Sequence, residues 1–230
     1  MKTIILNHKC YLSIEEIEKY KKEIEKIKTK ENLVLLPNTL YLSLFKNSTI
    51  PYGTQNFYTY KYGSYTGEIC LESLKNINAT YTIVGHPERI LLKLDSYEQI
   101  KNKLFVSLNM GFKTILCIGH DENLSTIKKE LKYYLKGIEY STLKNLYIAY
   151  EPASKIEGEK VNIKDINYLS KFLKEYFEKH FEETVPFLYG GSVNINNINE
   201  ILAITDGVIL GKISTDINEV KNILKNLKYE

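Results

Sequence analysis

Short apolar runs alternate with longer amphipathic stretches along the whole 230-residue chain. The runs are mostly four or five residues long and lack a two-residue alternation of apolar and polar positions, which is typical of parallel strands buried on both faces. We count eight such runs, at Thr3–Asn7, Leu33–Leu36, Gly53–Asn56, Tyr81–Val84, Lys113–Cys117, Leu146–Tyr150, Pro186–Tyr189 and Gly207–Leu210.

Helix starts can be recognised between these predicted strands. Ser13 and Ser96 are each followed three residues later by Glu or Gln, which is the spacing of a capping box. Asn162, Asn194 and Asp216 are residue types that cap helix N-termini well. The pattern therefore predicts helices that connect successive strands.

The alternation of strands and helices predicts a single α/β domain over residues 1–230, because no linker or change of composition divides the chain. Eight such units favour a (β/α)8 TIM barrel, in which eight parallel strands are ringed by helices. An open, doubly wound sheet of six strands is the alternative. In a barrel of this kind the catalytic groups follow the C-terminal ends of the strands.

Composition narrows the class of protein. A hydrophobic content of 43% with 26% charged residues is ample for a core and excludes intrinsic disorder. No run of roughly 18 apolar residues exists, so we expect no membrane partner, and the run after Met1 is too short for a secretory signal. Cys10, Cys70 and Cys117 are odd in number and unpaired by spacing, so we expect a cytoplasmic protein without a metal site.

The charge distribution gives little reason to expect a nucleic-acid partner, because 31 basic and 28 acidic residues leave a net charge of only +3. Most lysines alternate with glutamates at helical spacing, which is typical of solvated helix faces. Arg89 is the single arginine. It either marks a position that needs a planar, forked donor or is accidental.

Polar and glycine residues follow five of the predicted strands. They are Lys9, His86, Glu151, the run Gly190-Gly191-Ser192 and the pair Gly211-Lys212. Each alone has an ordinary structural explanation as a surface lysine, a structural histidine, a loop glutamate or a plain turn. Together, one carboxylate base, one imidazole, one ammonium and two glycine-bearing loops suit proton abstraction next to the carbonyl of a small phosphorylated sugar.

These residues belong to six motifs that occur in a recognisable order. The motifs are Asn7-His8-Lys9, Gln55-Asn56, Gly63-Ser64-Tyr65-Thr66-Gly67-Glu68, Gly85-His86-Pro87-Glu88-Arg89, Ala149-Tyr150-Glu151-Pro152 and Tyr189-Gly190-Gly191-Ser192-Val193-Asn194. In this order the chain resembles the triosephosphate isomerase family from Lys9 to its last helix. The resemblance implies a step of glycolysis and gluconeogenesis, the interconversion of dihydroxyacetone phosphate and D-glyceraldehyde 3-phosphate through an enediolate, without a cofactor.

The resemblance also implies a role for individual residues. Glu151 is the base that moves the carbon-bound proton, His86 is the neutral electrophile that polarises the carbonyl, and Lys9 supports the developing negative charge. Asn7 helps to hold the substrate. The phosphate is expected to rest on backbone N–H groups around Ser192, Gly211 and Lys212.

Further implications concern the surroundings of the site. Glu88 and Arg89 resemble the family's supporting pair near the rim, and residues 152–160 match its mobile lid, whose closure excludes water. The family is typically dimeric, with the loop that matches Tyr65-Thr66-Gly67-Glu68 reaching the partner's active site. We therefore expect a homodimer with an isologous interface.

Several positions depart from the family pattern. Pro87 stands where a serine is usual, and the lid carries Ser154 in place of an aromatic residue and Glu157-Gly158-Glu159 in place of a Gly-Thr-Gly pattern. Lys212 replaces the second glycine of a Gly-Gly pair, and its side chain can attract a phosphate. These departures keep two alternatives open: a catalytically weak paralogue that binds phosphorylated ligands, and a related barrel isomerase that acts on a larger sugar phosphate.

Overall fold

A computed structural model describes residues 1–153 and 161–228 of the chain. Its parallel strands are β1 Thr3–Asn7, β2 Asn32–Leu36, β3 Gly53–Thr54, β4 Tyr81–Val84, β5 Lys113–Ile118, β6 Leu146–Tyr150, β7 Phe187–Gly190 and β8 Gly207–Leu210. They form one sheet in the order β2-β1-β8-β7-β6-β5-β4-β3. A parallel bridge between Leu35 and Tyr52 joins its two ends. The predicted (β/α)8 barrel is confirmed, and the open six-stranded alternative is wrong.

Helices follow the strands and surround the barrel. They are α1 Ile14–Ile24, α2 Leu71–Lys75, α3 Pro87–Leu91, α4 Tyr97–Asn109, α5 Leu124–Leu135, α6 Ile163–Phe181, α7 Ile198–Leu202 and α8 Ile217–Lys225, with short 3-10 helices at Thr39–Phe45, Tyr140–Asn145 and Lys212–Thr215. In the part of the chain that the structure describes, no helix has the length and apolar character needed to cross a bilayer.

Most of the predicted helix starts are confirmed. Ser13 caps α1 and Ser96 caps α4, and in each case both hydrogen bonds of the capping box are present. Asn162 caps α6 by accepting from the backbone N–H of the second helical residue, and Asp216 caps α8 in the same way. The capping side chains thus satisfy N–H groups that have no partner inside the helix.

The prediction that Asn194 caps a helix is wrong. The cap of α7 is Asn197, three residues later. The Asn194 carboxamide oxygen instead accepts from the Asn196 N–H at 2.9 Å, and its backbone carbonyl accepts from Ile198 N at 3.0 Å. Asn194 therefore forms an Asx turn that precedes the helix, a structure that competes with capping for the same residue types.

The third strand is shorter than the sequence pattern indicates. It pairs with β4 only over Gly53–Thr54 rather than through Asn56. The Thr54 hydroxyl donates to the Asn56 carbonyl at 2.6 Å, which turns the backbone away from the sheet. The Gln55 carboxamide then donates to the carbonyl of Leu36 at 3.0 Å and so reinforces the bridge that closes the barrel.

Alternate residues of each strand point into two different cores. Ile5, Val34, Leu36, Tyr81, Ile83, Ile115, Cys117, Ala149, Leu188 and Ile209 fill the interior of the barrel. Their neighbours along the strands, such as Ile4 and Leu6 on β1, pack outward against the helices. Because both faces are buried mostly in apolar side chains, charged groups are expected to gather where the strands end.

Gly53 provides a test of the barrel closure. A Cβ atom at this position would lie 1.9 Å from the carbonyl oxygen of Tyr81, so the backbone of β3 or β4 would have to move. We expect Gly53→Ala to lower the free energy of unfolding, measured in urea, by at least about 3 kcal/mol.

The control is Gly111→Ala, where φ is +79° and nothing lies within 4 Å of the added carbon. That variant suffers backbone strain alone, which costs about 1–2 kcal/mol. Equal losses in the two variants would show that strands β3 and β4 do not approach as closely as described.

Candidate active site

The carboxyl ends of the strands surround a cavity of about 410 Å³. All seven residues predicted for the site line it, namely Asn7, Lys9, His86, Glu151, Ser192, Gly211 and Lys212. A larger cavity of about 620 Å³ lies between α1 and α8, near the start of β2. Its wall is formed by lysines, aliphatic side chains and one glutamate, so it lacks the convergent acid and base of the smaller cavity.

Lys9 is held in an unusual backbone conformation directly after β1. Its φ of +50° lies in the left-handed region that few non-glycine residues adopt. The Gln55 carboxamide donates to the Lys9 carbonyl at 3.0 Å, and the Lys9 ammonium forms an ion pair with Glu88. A Cβ on Gly211 would lie 4.0 Å from Lys9 Nζ. The ammonium therefore lies between the loops that follow β4 and β8.

His86 is the N-cap of α3, and this position determines its tautomer. Its Nδ1 accepts a hydrogen bond from the backbone N–H of Glu88 at 3.3 Å. A ring nitrogen that accepts cannot carry the proton, so the neutral ring is protonated on Nε2. Nε2 lies 3.7 Å from Oε2 of Glu151. The imidazole thus presents an N–H donor to the cavity.

Glu151 follows β6, and its side chain is almost fully buried. The Cys117 thiol donates to Oε2 at 2.8 Å. Burial, reinforced by the negative charge of Glu151, raises the pKa of Cys117 well above its ordinary value, so that the thiol remains a donor. A Cβ on Gly190 would lie 2.3 Å from Oε1, so the carboxylate occupies space that only glycine leaves open.

Arg89 and Glu88, the predicted supporting pair near the rim, bind different partners. The Arg89 guanidinium donates through two nitrogens to the buried carboxylate of Asp95, at 2.5 and 3.4 Å. Lys103 also binds Asp95 and donates to Asn56 Oδ1 at 2.7 Å. Burial lowers the pKa of Lys103, and Asp95 opposes that shift. The single arginine therefore uses its forked geometry within a buried ion cluster beside the site.

The two loops predicted to hold a phosphate are each fixed by their own side chains. The Ser192 carbonyl accepts from the carboxamides of Asn194 and Asn197 at 3.2 and 3.0 Å. The Gly211 carbonyl accepts from the backbone N–H and the hydroxyl of Ser214 at 2.8 and 2.7 Å. Both loops thus turn back on themselves at the edge of the cavity.

The predicted lid lies mostly outside the described residues. Residues 154–160 are not among them, so the predictions for Ser154, Glu157 and Glu159 stay predictions. At the start of the segment, Ala153 donates its backbone N–H to the His120 carbonyl at 3.3 Å. The loop after β5 therefore anchors the chain two residues beyond Glu151.

Comparison with known proteins decides the family. A family model described as triosephosphate isomerase matches residues 2–227. A triosephosphate isomerase from Orientia tsutsugamushi (strain Ikeda) is 35% identical over 243 residues, covering 98% of this chain and 97% of the relative. The chain belongs to the triosephosphate isomerase family. Proteins of the same name from Dictyoglomus thermophilum and Ureaplasma parvum serovar 3 are each 32% identical, covering 98–99% of this chain and 99–100% of their own length. The resemblance inferred from six motifs is confirmed.

The prediction from the sequence omits two residues that the structure places at this site. Cys117 is the donor to Glu151, and Tyr11 lines the cavity. The two-residue alternation of a strand could have indicated Cys117, because it lies two residues after the inward-facing Ile115 on β5. Tyr11 carries no such signal, since it follows the strand by four residues and reaches the cavity only through the turn after Lys9.

His8 is a buried histidine directly after Asn7 at the end of β1, close to Ser214 in the segment that follows β8. It is 1% exposed, and its ring packs edge-on against Tyr20 with ring centroids 4.5 Å apart. Among the described residues neither ring nitrogen has a hydrogen bond of good geometry. Burial lowers the pKa of His8 to about 4, and the backbone of Ser214 opposes this shift only in part. The folded protein therefore keeps His8 neutral.

This burial predicts acid sensitivity. The ordinary pKa of 6.5 applies to the unfolded chain, so the unfolded state binds more protons than the folded state between pH 6.5 and 4. Stability is thus undiminished above about pH 6.5 and falls as the pH decreases toward 4. When the pH is lowered from 7 to 4.5, the free energy of unfolding should fall in both proteins. We expect the fall in His8→Phe to be about 2 kcal/mol smaller than in the unmodified protein.

Urea unfolding at the two pH values measures the difference. His180→Gln, at an exposed position near the end of α6, is the control and is expected to retain the original pH dependence. If His8→Phe and His180→Gln lose the same free energy on acidification, His8 does not titrate as described.

Proposed function

We propose that the chain is an enzyme that interconverts dihydroxyacetone phosphate and D-glyceraldehyde 3-phosphate by proton transfer through an enediolate. The observation that carries this proposal is the pairing of Glu151 and His86 across one cavity, with Nε2 and Oε2 3.7 Å apart and the Lys9 ammonium in the same wall. A carboxylate and a neutral N–H donor at this separation suit transfer of a proton between two adjacent carbons. Such an internal transfer needs no cofactor.

In the proposed mechanism Glu151 removes a proton from the carbon beside the carbonyl and returns it to the former carbonyl carbon, while the hydroxyl proton on the first carbon passes to the former carbonyl oxygen. The electron pair left on carbon moves to the carbonyl oxygen, which becomes an enediolate oxygen. The Nε2–H of His86 and the ammonium of Lys9 stabilise that oxygen, the former through a hydrogen bond and the latter through its charge. The Cys117 thiol holds the carboxylate by a hydrogen bond, and the carboxylate occupies the space left by the missing Cβ of Gly190.

The phosphate of the substrate is proposed to occupy the opposite side of the cavity. Backbone N–H groups of Ser192, Gly211 and Lys212 would contact it there, as the family resemblance implies. Asn7, which is buried at the end of β1, would bind the body of the substrate.

A coupled assay with both triose phosphates tests the proposal. We expect turnover far above the reaction without enzyme, and competitive inhibition by a phosphorylated enediolate mimic. Turnover equal to the control without enzyme, with binding of phosphorylated ligands retained, would support a paralogue that only binds them. A preference for larger sugar phosphates would support the other alternative.

Glu151→Gln tests the assigned base, because glutamine has nearly the same shape but cannot accept the proton. We expect the rate to fall by about 10²–10⁴, the usual scale for loss of a general base. The same measurement on Glu178→Gln, on α6, serves as a control for a lost carboxylate far from the cavity. Unchanged turnover in Glu151→Gln, with the mimic still bound, would refute the role of Glu151.

We further propose that the protein is a homodimer that acts in the cytoplasm and folds as one domain over residues 1–230. Three tyrosines of the loop after β3 support the dimer. Tyr58, Tyr60 and Tyr65 pack together with ring centroids 5.0–5.3 Å apart, although Tyr60 is 56% and Tyr65 39% exposed. An ordered aromatic cluster of this exposure is typical of an interface.

A further cavity, smaller than the two described above, supports the same interface. It has a volume of about 350 Å³, lies beside Lys9 and Glu88, and is bordered by Leu92 and Leu94, two exposed leucines after α3. In the proposed dimer this cavity receives the tyrosine-bearing loop of the other copy.

Tyr65→Asp tests the dimer. A charge in the aromatic cluster would have to be desolvated on association, so we expect this variant to shift from about twice the 26.7 kDa chain mass toward the monomer. Sedimentation velocity measures the mass. Tyr168→Asp on α6, where the tyrosine is 57% exposed, is the matched control. A monomeric unmodified protein, or equal masses for both variants, would contradict the proposed interface.

A further inference from the structure

Among the residues that the structure describes, four charged side chains line the cavity, and not all of them form ion pairs. Lys9 forms an ion pair with Glu88, while Glu151 is buried against His86 and Cys117. Lys212 is the remaining cation. No carboxylate among residues 1–153 and 161–228 forms an ion pair with it. Its charge is therefore available to a ligand.

The Lys212 ammonium lies over an aromatic ring. Its Nζ lies 5.8 Å from the centroid of Tyr11, at the outer limit of a cation–π contact. Tyr11 follows β1 and Lys212 follows β8, and these strands are paired neighbours in the sheet. The Tyr11 N–H donates to the His8 carbonyl at 3.3 Å, which fixes the turn that carries the ring. Strand pairing thus brings the two side chains together at the mouth of the cavity.

We propose that the Lys212 side chain, positioned by Tyr11, is a second cation for the phosphate of the substrate and of competing phosphate-like dianions. The proposal rests on the proposed function, and it adds a side-chain charge to the backbone contacts already assigned to Lys212. Since the family pattern has glycine at this position, the second cation is a property of this chain.

Charge balance explains why the side chain matters. Within the described part of the chain, Lys9 and Glu88 neutralise each other, so without Lys212 the Glu151 carboxylate would leave the cavity with a negative charge that repels a dianion. With Lys212 the four charges sum to zero. At 5.8 Å from the ring centroid, the ammonium keeps its contact with Tyr11 while it gains a charge-assisted hydrogen bond to phosphate. Because the charge of the phosphate is the same in the substrate and in the transition state, we expect the contact to stabilise both equally and so to act on KM rather than kcat.

Lys212→Met in the full-length protein tests the second cation, because methionine keeps an apolar side chain of similar length without the charge. Binding of inorganic phosphate, measured by isothermal titration calorimetry, is expected to weaken about 2- to 5-fold, the range for one exposed ion pair. KM for the triose phosphates should rise by a similar factor. The difference from the unmodified protein should shrink as salt is raised from 0.05 to 0.5 M.

Lys225→Met is the matched control, since Lys225 ends α8 beside the cavity at the other end of the barrel and its loss changes the net charge equally. Phosphate affinity in this variant should remain that of the unmodified protein. Equal phosphate affinity in Lys212→Met and Lys225→Met would overturn the proposal, as would absence of phosphate binding by the unmodified protein.

Variants of Tyr11 test the positioning role without changing the charge. Tyr11→Leu removes the ring face and is expected to weaken phosphate binding about 2- to 3-fold, whereas Tyr11→Phe retains the ring and should retain the affinity. In combination with Lys212→Met, Tyr11→Leu should have no further effect, because the ring acts through the ammonium. Additive losses in the double variant would show that Tyr11 acts independently of Lys212.

The calorimetric readout separates this inference from the proposed function. If Lys212→Met binds phosphate more weakly but the unmodified protein shows no isomerase turnover, the role of Lys212 as a second cation stands and the proposed isomerase activity is refuted. If the protein turns over the triose phosphates but its phosphate affinity and KM do not depend on Lys212, the isomerase activity stands and the role of Lys212 as a second cation is refuted.

Discussion

Parallel pairing of eight strands around a closed barrel is the constraint on which the site depends. All strands run in one direction, so every carboxyl end opens on the same rim, however far apart the segments lie in the chain. Lys9, His86 and Glu151 follow the first, fourth and sixth strands and meet in one cavity for this reason. Both faces of the sheet are filled with apolar side chains, which leaves the rim as the place where charged groups can converge.

Burial of polar groups around this rim is matched by partners in most cases. Asp95 is surrounded by Arg89 and Lys103, so the charge removed from water is compensated inside the protein. Glu151 has the Cys117 thiol as a donor, although a thiol is a weak one. This orients the carboxylate for the role of base proposed for it. His8 has no comparable partner, so the segment that positions Lys9 loses stability in acid.

Much of the fold and part of the site follow from local sequence signals. Apolar runs located all eight strands, because burial on both faces leaves a continuous hydrophobic signature. The end of β3 was not predictable, since it depends on the Thr54 hydroxyl binding the Asn56 carbonyl instead of the sheet continuing. The residues at strand ends were predictable from position alone. The partner of Arg89 was not, because nothing in the sequence distinguishes Asp95 from the neighbouring Glu88 before the loop after α3 is placed.

Pro87 shows how a departure from the family pattern can agree with the chemistry. As the first residue of α3 it occupies the helical position where a missing N–H costs least, and it cannot donate to the imidazole beside it. The N–H of the second helical residue, Glu88, is the ordinary donor to an N-cap side chain; it binds Nδ1 of His86 and leaves the proton on Nε2, which faces Glu151. The carboxylate of the same Glu88 binds Lys9. Glu88 thus orients both groups that are proposed to stabilise the enediolate oxygen. Its backbone N–H orients His86, and its carboxylate orients Lys9.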